Sequence, residues 1–191
     1  MTEMPVRRIP VRPGGAHATI DVAEQNAALA ALLGGDTAAR ERAVTTILAA
    51  PELFAPPVLC ALAAELFARD RRDDAVFWYH AGQVRARFDA NRCADPTAGS
   101  AVAVLRERFG APINRYAFTD RANLRTLVER AVQWDATTPH DYDHRWINLH
   151  GMGAFTAVAG GAGLSRPEEE WADVAARTRA EYLRGMHEVL G

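Results

Sequence analysis

The chain has 191 residues, with 22 basic and 24 acidic side chains giving a formal net charge of -2. That length supports one domain with a substantial core, and the charge balance, even on either side of Asp95, argues against a nucleic-acid binder that tracks phosphates. Two cysteines, Cys60 and Cys93, are too few for a disulfide scaffold, no run approaches a membrane span, and the opening MTEMPVRRIPVRPGG lacks a signal-peptide apolar stretch, so a cytoplasmic protein without membrane attachment is expected.

Residues 1–20, with three prolines and Gly14-Gly15, read as an extended or flexible N-terminal arm, and residues 21–191 as a single helical domain. Val22, Leu29, Leu32 and Leu33 predict a short first helix that stops at Gly34-Gly35. Asp36 caps a second, about Thr37 to Ala50, which ends before Pro51. From Pro57 to Asn91 two amphipathic helices are joined by a charged elbow at Asp70 to Asp74. Leu59, Leu62, Ala63 and Leu66 face Ala75, Tyr79 and Gly82 across the pair. A helix from about Thr97 carries Ala101, Val104, Leu105 and Phe109 inward and ends at Gly110, before a loop at Ala111 to Asn114. Thr119 or Asp120 caps a long helix to about Thr137. Pro139 to Phe155 is irregular, with a short helix and a loop. Ala159 to Gly163 reads as a loop, and Ser165 with Glu168 as the capping box of a last helix, Pro167 to Val189. Strand-type alternation is absent, so the expected fold is an all-α single-domain bundle of about seven or eight helices in helical-hairpin or partial solenoid packing.

The hairpin of residues 57–91 resembles a tetratricopeptide or Sel1-like repeat. Leu59, Leu62, Ala63 and Leu66 fall at the first-helix core positions, and Ala75, Tyr79 and Gly82 at the small-aromatic-small pattern of the second helix. Trp78-Tyr79 followed by Ala81-Gly82 is similar to Sel1-type sequences, Arg87 stands about where a helix-ending proline belongs, and no second copy follows at that period. Such families bind polypeptides in the groove between helices. More loosely, the Ala-rich helical chain resembles bacterial immunity proteins, which implies a secreted toxin domain as partner.

The densest group of ionisable side chains is His140, Asp141, Asp143, His144 and His150. Were His140 to Asn148 helical, His140 and His144 would share a face at metal-binding spacing, with Asp141 near, although the glutamate of a zinc-protease helix is missing. The alternative for these residues is ordinary helix-terminal and hydrogen-bonding work near Trp146. Cys93 beside Arg92 does not make a reactive thiol by charge alone. The Gly160 to Gly163 run lacks the lysine and strand of a phosphate loop. The sequence therefore points to a non-enzymatic, protein-binding helical protein that needs no cofactor, an immunity or adaptor protein acting by occlusion, with Asp74, His80, Arg85, Arg87 and Trp146 as interface residues. A metal-dependent enzyme or metal-binding protein using His140, Asp141, His144 and His150 is the alternative, and a structural homodimer the third.

Overall fold

The computed structural model describes residues 15–154 and 163–191. The expected arm is therefore covered only from Gly15, which opens a 3-10 turn to Thr19, and most of the Ala159 to Gly163 run lies outside the described residues. Among the described residues the chain is all-α. Helices α1 (Ala23–Gly34), α2 (Thr37–Ala49), α3 (Pro56–Ala68), α4 (Arg72–Arg92), α5 (Ser100–Ala117), α6 (Arg121–Thr137) and α7 (Trp171–Leu190) follow one another with no strand, and short 3-10 turns lie between α2 and α3, α4 and α5, and α6 and α7.

Local chemistry accounts for most of the boundaries. Asp36 Oδ1 accepts from the Ala39 amide at 2.7 Å and Asp120 Oδ1 from the Asn123 amide at 3.0 Å, each satisfying a donor left free at a helix start. Pro56 and Pro57 open α3, where a missing N–H costs least. Asp73 and Asp74 lie in the first turn of α4 and complement its positive end. The elbow is tighter than the charged run suggested: Asp70 takes a left-handed φ of 62°, and the Arg71 amide closes onto the Leu66 carbonyl at 3.0 Å.

Two boundaries differ from the expectation. α5 runs through Pro112 instead of stopping at Gly110, because Leu105, Phe109, Ile113 and Ala117 form one buried stripe whose packing outweighs the ladder bond that proline removes. Ser165 does not cap α7, which starts at Trp171 after a 3-10 turn at Glu168–Glu170. Instead Ser165 bridges to Cys93, with Ala94 donating to the Leu164 carbonyl at 3.0 Å and Arg166 to the Arg92 carbonyl at 2.8 Å. Those two bonds pin the approach to α7 against the end of α4.

α4 is the axis of the domain, packed by α3, α5, α6 and α7. Its most extensive contact is with α3, in the register the small and large residues imply. A Cβ on Gly82 would lie 2.9 Å from Cys60 Sγ and 3.3 Å from Leu59 Cβ, so only glycine lets the two helices come this close. Polar as it is, α4 buries Tyr79 and His80 on one side and Arg85, Asp89 and Arg92 on another. A helix buried all round is ordinarily apolar. This one is not, because its charges find partners inside the fold.

Candidate functional site

Arg85, Asp89 and Arg92 follow one another at four- and three-residue steps, so they share a stripe of α4. Each meets groups from distant parts of the chain. Arg85, wholly buried, donates from Nε to Asp135 Oδ1 at 3.2 Å and from Nη2 to the Thr138 and Pro139 carbonyls, with its guanidinium 4.1 Å above the Trp134 ring. Asp135, on α6, also accepts from Arg179 Nε of α7 at 2.7 Å and lies 2.9 Å from His140 Nε2. Asp89 accepts from Arg92 Nη2 at 2.6 Å, from Trp146 Nε1 at 2.7 Å and from the Tyr142 hydroxyl at 3.0 Å. The network thus staples the irregular segment from Thr138 to Trp146 onto the central helix.

The electrostatics follow from burial and then from partners. Burial lowers the pKa of Arg85, while Tyr142, Asp135 and Asp89 act to restore it. For Asp135 burial works upward, yet the hydrogen bonds and charges of His140 and Arg179 prevail and hold its carboxyl below the usual range. Burial, reinforced by Asp89, keeps the Tyr142 phenol protonated well beyond its ordinary value. Nη1 of Arg85 and Nδ1 of His140 are enclosed without hydrogen-bond partners. The arrangement is dense and closed, with geometry suited to holding the fold.

The residues singled out from sequence are dispersed by the structure. The segment 139–143 is not helical and a 3-10 turn begins only at His144, so His140 and His144 do not share a helical face, and the premise of the metal alternative fails. His140 turns to Asp135. His144 Nε2 lies 2.8 Å from Ser165 Oγ and its ring meets the edge of Trp171. Asp141 is exposed, and His150 lies against Trp146. Among the described residues no three His, Cys, Asp or Glu side chains gather as a metal site requires.

Of the expected interface residues, His80 and Arg85 are buried and cannot meet a partner in this conformation, because the polar face of α4 is covered by α6 and α7, and Trp146 is buried apart from the little surface it shows in a groove between α1 and α5. Arg87 is partly covered, donating to Gln83 and lying over the Tyr182 ring, and Asp74 is exposed in an ion pair with Arg71. Both cysteines are free and buried. Burial raises the Cys60 thiol to about 12 and, together with nearby carboxylates, raises Cys93, which is not the electropositive setting of a reactive thiol.

No family model, curated protein or solved structure matches the chain.

What sequence reasoning missed is a face around α1. This helix fully buries only Leu32, and it has a groove on each side. Between α1 and α5 runs a groove of about 350 Å³, walled by Leu29, Leu33, Val104 and Leu105 over Trp146 and Leu149. Between α1 and α2 a shallower one of about 440 Å³ is lined by Ala27, Ala31, Ala43, Ile47, Leu53 and Phe54. Leu33, Leu53 and Val104, which line these grooves, are 44%, 43% and 55% exposed. A signal was there to read. Leu32-Leu33 and Val104-Leu105 are apolar doublets, and neighbours on a helix lie about 100° apart, so one member of each turns away from the core the other fills.

Proposed function

We propose that the protein acts by binding another polypeptide through the face built around α1. The observation that carries this reading is the exposure of Leu33, Leu53 and Val104 on two adjoining grooves, since apolar surface gathered in this way marks a binding surface, whereas scattered single residues do not. A groove walled by two helices suits an amphipathic segment laid between them. The buried network supports the reading indirectly. It ties the Thr138 to Trp146 segment to α4, and so gives Trp146 and Leu149 a fixed position at the floor of the groove. An adaptor, or an immunity protein that occludes a toxin domain, is the biological form this takes.

The test compares the full chain with a Leu33→Glu/Val104→Glu double variant as bait in extract from the native host. Both side chains project outward, so circular dichroism should be unchanged. A stoichiometric partner retained by the wild type should lose at least about tenfold in affinity for the variant, because two apolar contacts give way to buried charge. Equal recovery by both baits refutes the face. Light scattering of the wild type over a range of concentrations checks the homodimer: a dimer dispersed by the same double variant assigns the face to a second copy.

A further inference from the structure

The groove between α1 and α5 has a charge signature that bears on what fills it. In a chain with more acidic than basic side chains, no carboxylate among the described residues lines this groove, and the one formally charged residue among them there is Arg108. Arg108 is exposed, near the face of Phe109 at 5.3 Å, and has no carboxylate within ion-pair distance among the described residues. His150, also at the groove, has its pKa lowered by burial and adds no charge there near neutral pH. Of the two uncharged amides at the wall, Asn26 is exposed and Gln25 is occupied: its Nε2 donates to the Leu53 carbonyl at 3.0 Å and its Oε1 accepts from the Ala55 amide at 2.8 Å.

The apolar surface also extends beyond the concavity, because Leu33 and Val104 remain about half exposed at its walls. A small ligand is ordinarily enclosed over most of its own surface. Here the projecting walls suit something longer, which runs between the two helices and covers them from outside.

We infer that the groove receives an amphipathic helix of a partner protein whose apolar stripe packs between Leu33 and Val104 and which carries a carboxylate opposite Arg108. This rests on the reading of the α1 face given above and adds the partner's chemistry. Arginine is suited to the role, since its planar guanidinium takes a carboxylate with two parallel hydrogen bonds while its stem stays on the aromatic ring. The chain's own first residues have the opposite character, with Arg7, Arg8 and Arg12 against a single acid, Glu3.

The experiment selects helical peptides displayed on an Ala-rich scaffold, randomised on one face, against the full chain, with counter-selection on Val104→Glu. Enriched peptides should place Leu, Ile or Met at i, i+4 and i+7 and an Asp or Glu at one constant offset. A synthetic representative should bind Arg108→Gln about fivefold more weakly, as expected for a rim ion pair, and Arg108→Glu should select Lys or Arg at that offset. Enrichment without an acidic preference, at affinity indifferent to Arg108→Gln, overturns the charge assignment and leaves the groove reading standing. No enrichment over the Val104→Glu control overturns both. Concentration-dependent dimerisation abolished by Val104→Glu overturns the inference by giving the groove to a second copy.

Discussion

His80 should make the stability of this protein fall on mild acidification, by an amount the structure sets. Its ring lies on α4 within the core, Nδ1 sharing a 2.6 Å hydrogen bond with the Tyr182 hydroxyl and Nε2 enclosed without a partner. Burial first, and then the Arg87 cation, push its pKa from 6.5 down to about 3. The other groups around it, Tyr79, Tyr182 and Cys60, are raised by burial and stay neutral in this range. In the native state His80 is thus neutral above about pH 3, while the unfolded chain takes up a proton below about pH 6.5. The stabilisation is complete above that upper value and declines as the pH falls through the window, by about 1.4 kcal/mol per unit. From about pH 7.5 to about pH 5 the loss amounts to about 2 kcal/mol. His80→Asn supplies the comparison, since its amide can stand near the Nδ1 position and does not titrate. His144, lowered by burial and Arg92, contributes a slope common to both proteins, which cancels. Urea unfolding followed by circular dichroism across this pH range should show the wild type losing about 2 kcal/mol more than His80→Asn. Parallel losses in the two proteins refute the claim that His80 is sequestered as a neutral ring.

Two further substitutions test the packing and the network. Gly82→Ala drives a methyl to 2.9 Å from Cys60 Sγ and to 3.3 Å from the Pro56 carbonyl, and should destabilise by about 1 to 3 kcal/mol; Gly185→Ala, with open space around its added Cβ in the middle of α7, should stabilise by about 1 kcal/mol, and thermal unfolding of the pair reads the difference. Asp135→Asn removes the counter-charge shared by Arg85 and Arg179 and leaves Arg85 buried without full compensation; a loss of about 3 to 5 kcal/mol in denaturant unfolding is expected, and a change under about 1 kcal/mol would show that the network is not a closed, paired unit.

The helices were legible because their signals are local. Asp36, Asp120 and Pro56 mark helix starts through groups a few residues away, and the small-large register of α3 and α4 follows from residues within one hairpin. Pro112 misled for the complementary reason: a proline reads as a break, but whether the helix survives depends on how deeply Phe109 and Ile113 pack on other elements. The same limit hid the meaning of Arg85 and Asp89. A charged stripe on a helix ordinarily faces water, and nothing within α4 states that Asp135, Tyr142, Trp146 and Arg179 will arrive to neutralise it. His140 and His144 failed as a pair because the backbone from Thr138 to Asp141 is held by hydrogen bonds to Arg85, just before His140, and to Glu52, just after it, rather than by a helical ladder.

By itself the sequence determined an all-α chain, the order of its helices and the close approach at Gly82, each set by propensity, capping or side-chain size over a few residues. Only the tertiary structure decided which charges are buried and which apolar residues are left outside. Burial depends on groups brought together from Asp89 to Arg179 across the chain, and so does the exposure of Leu33 and Val104, which remain outside because Leu32 and Leu105 already fill the core beside them.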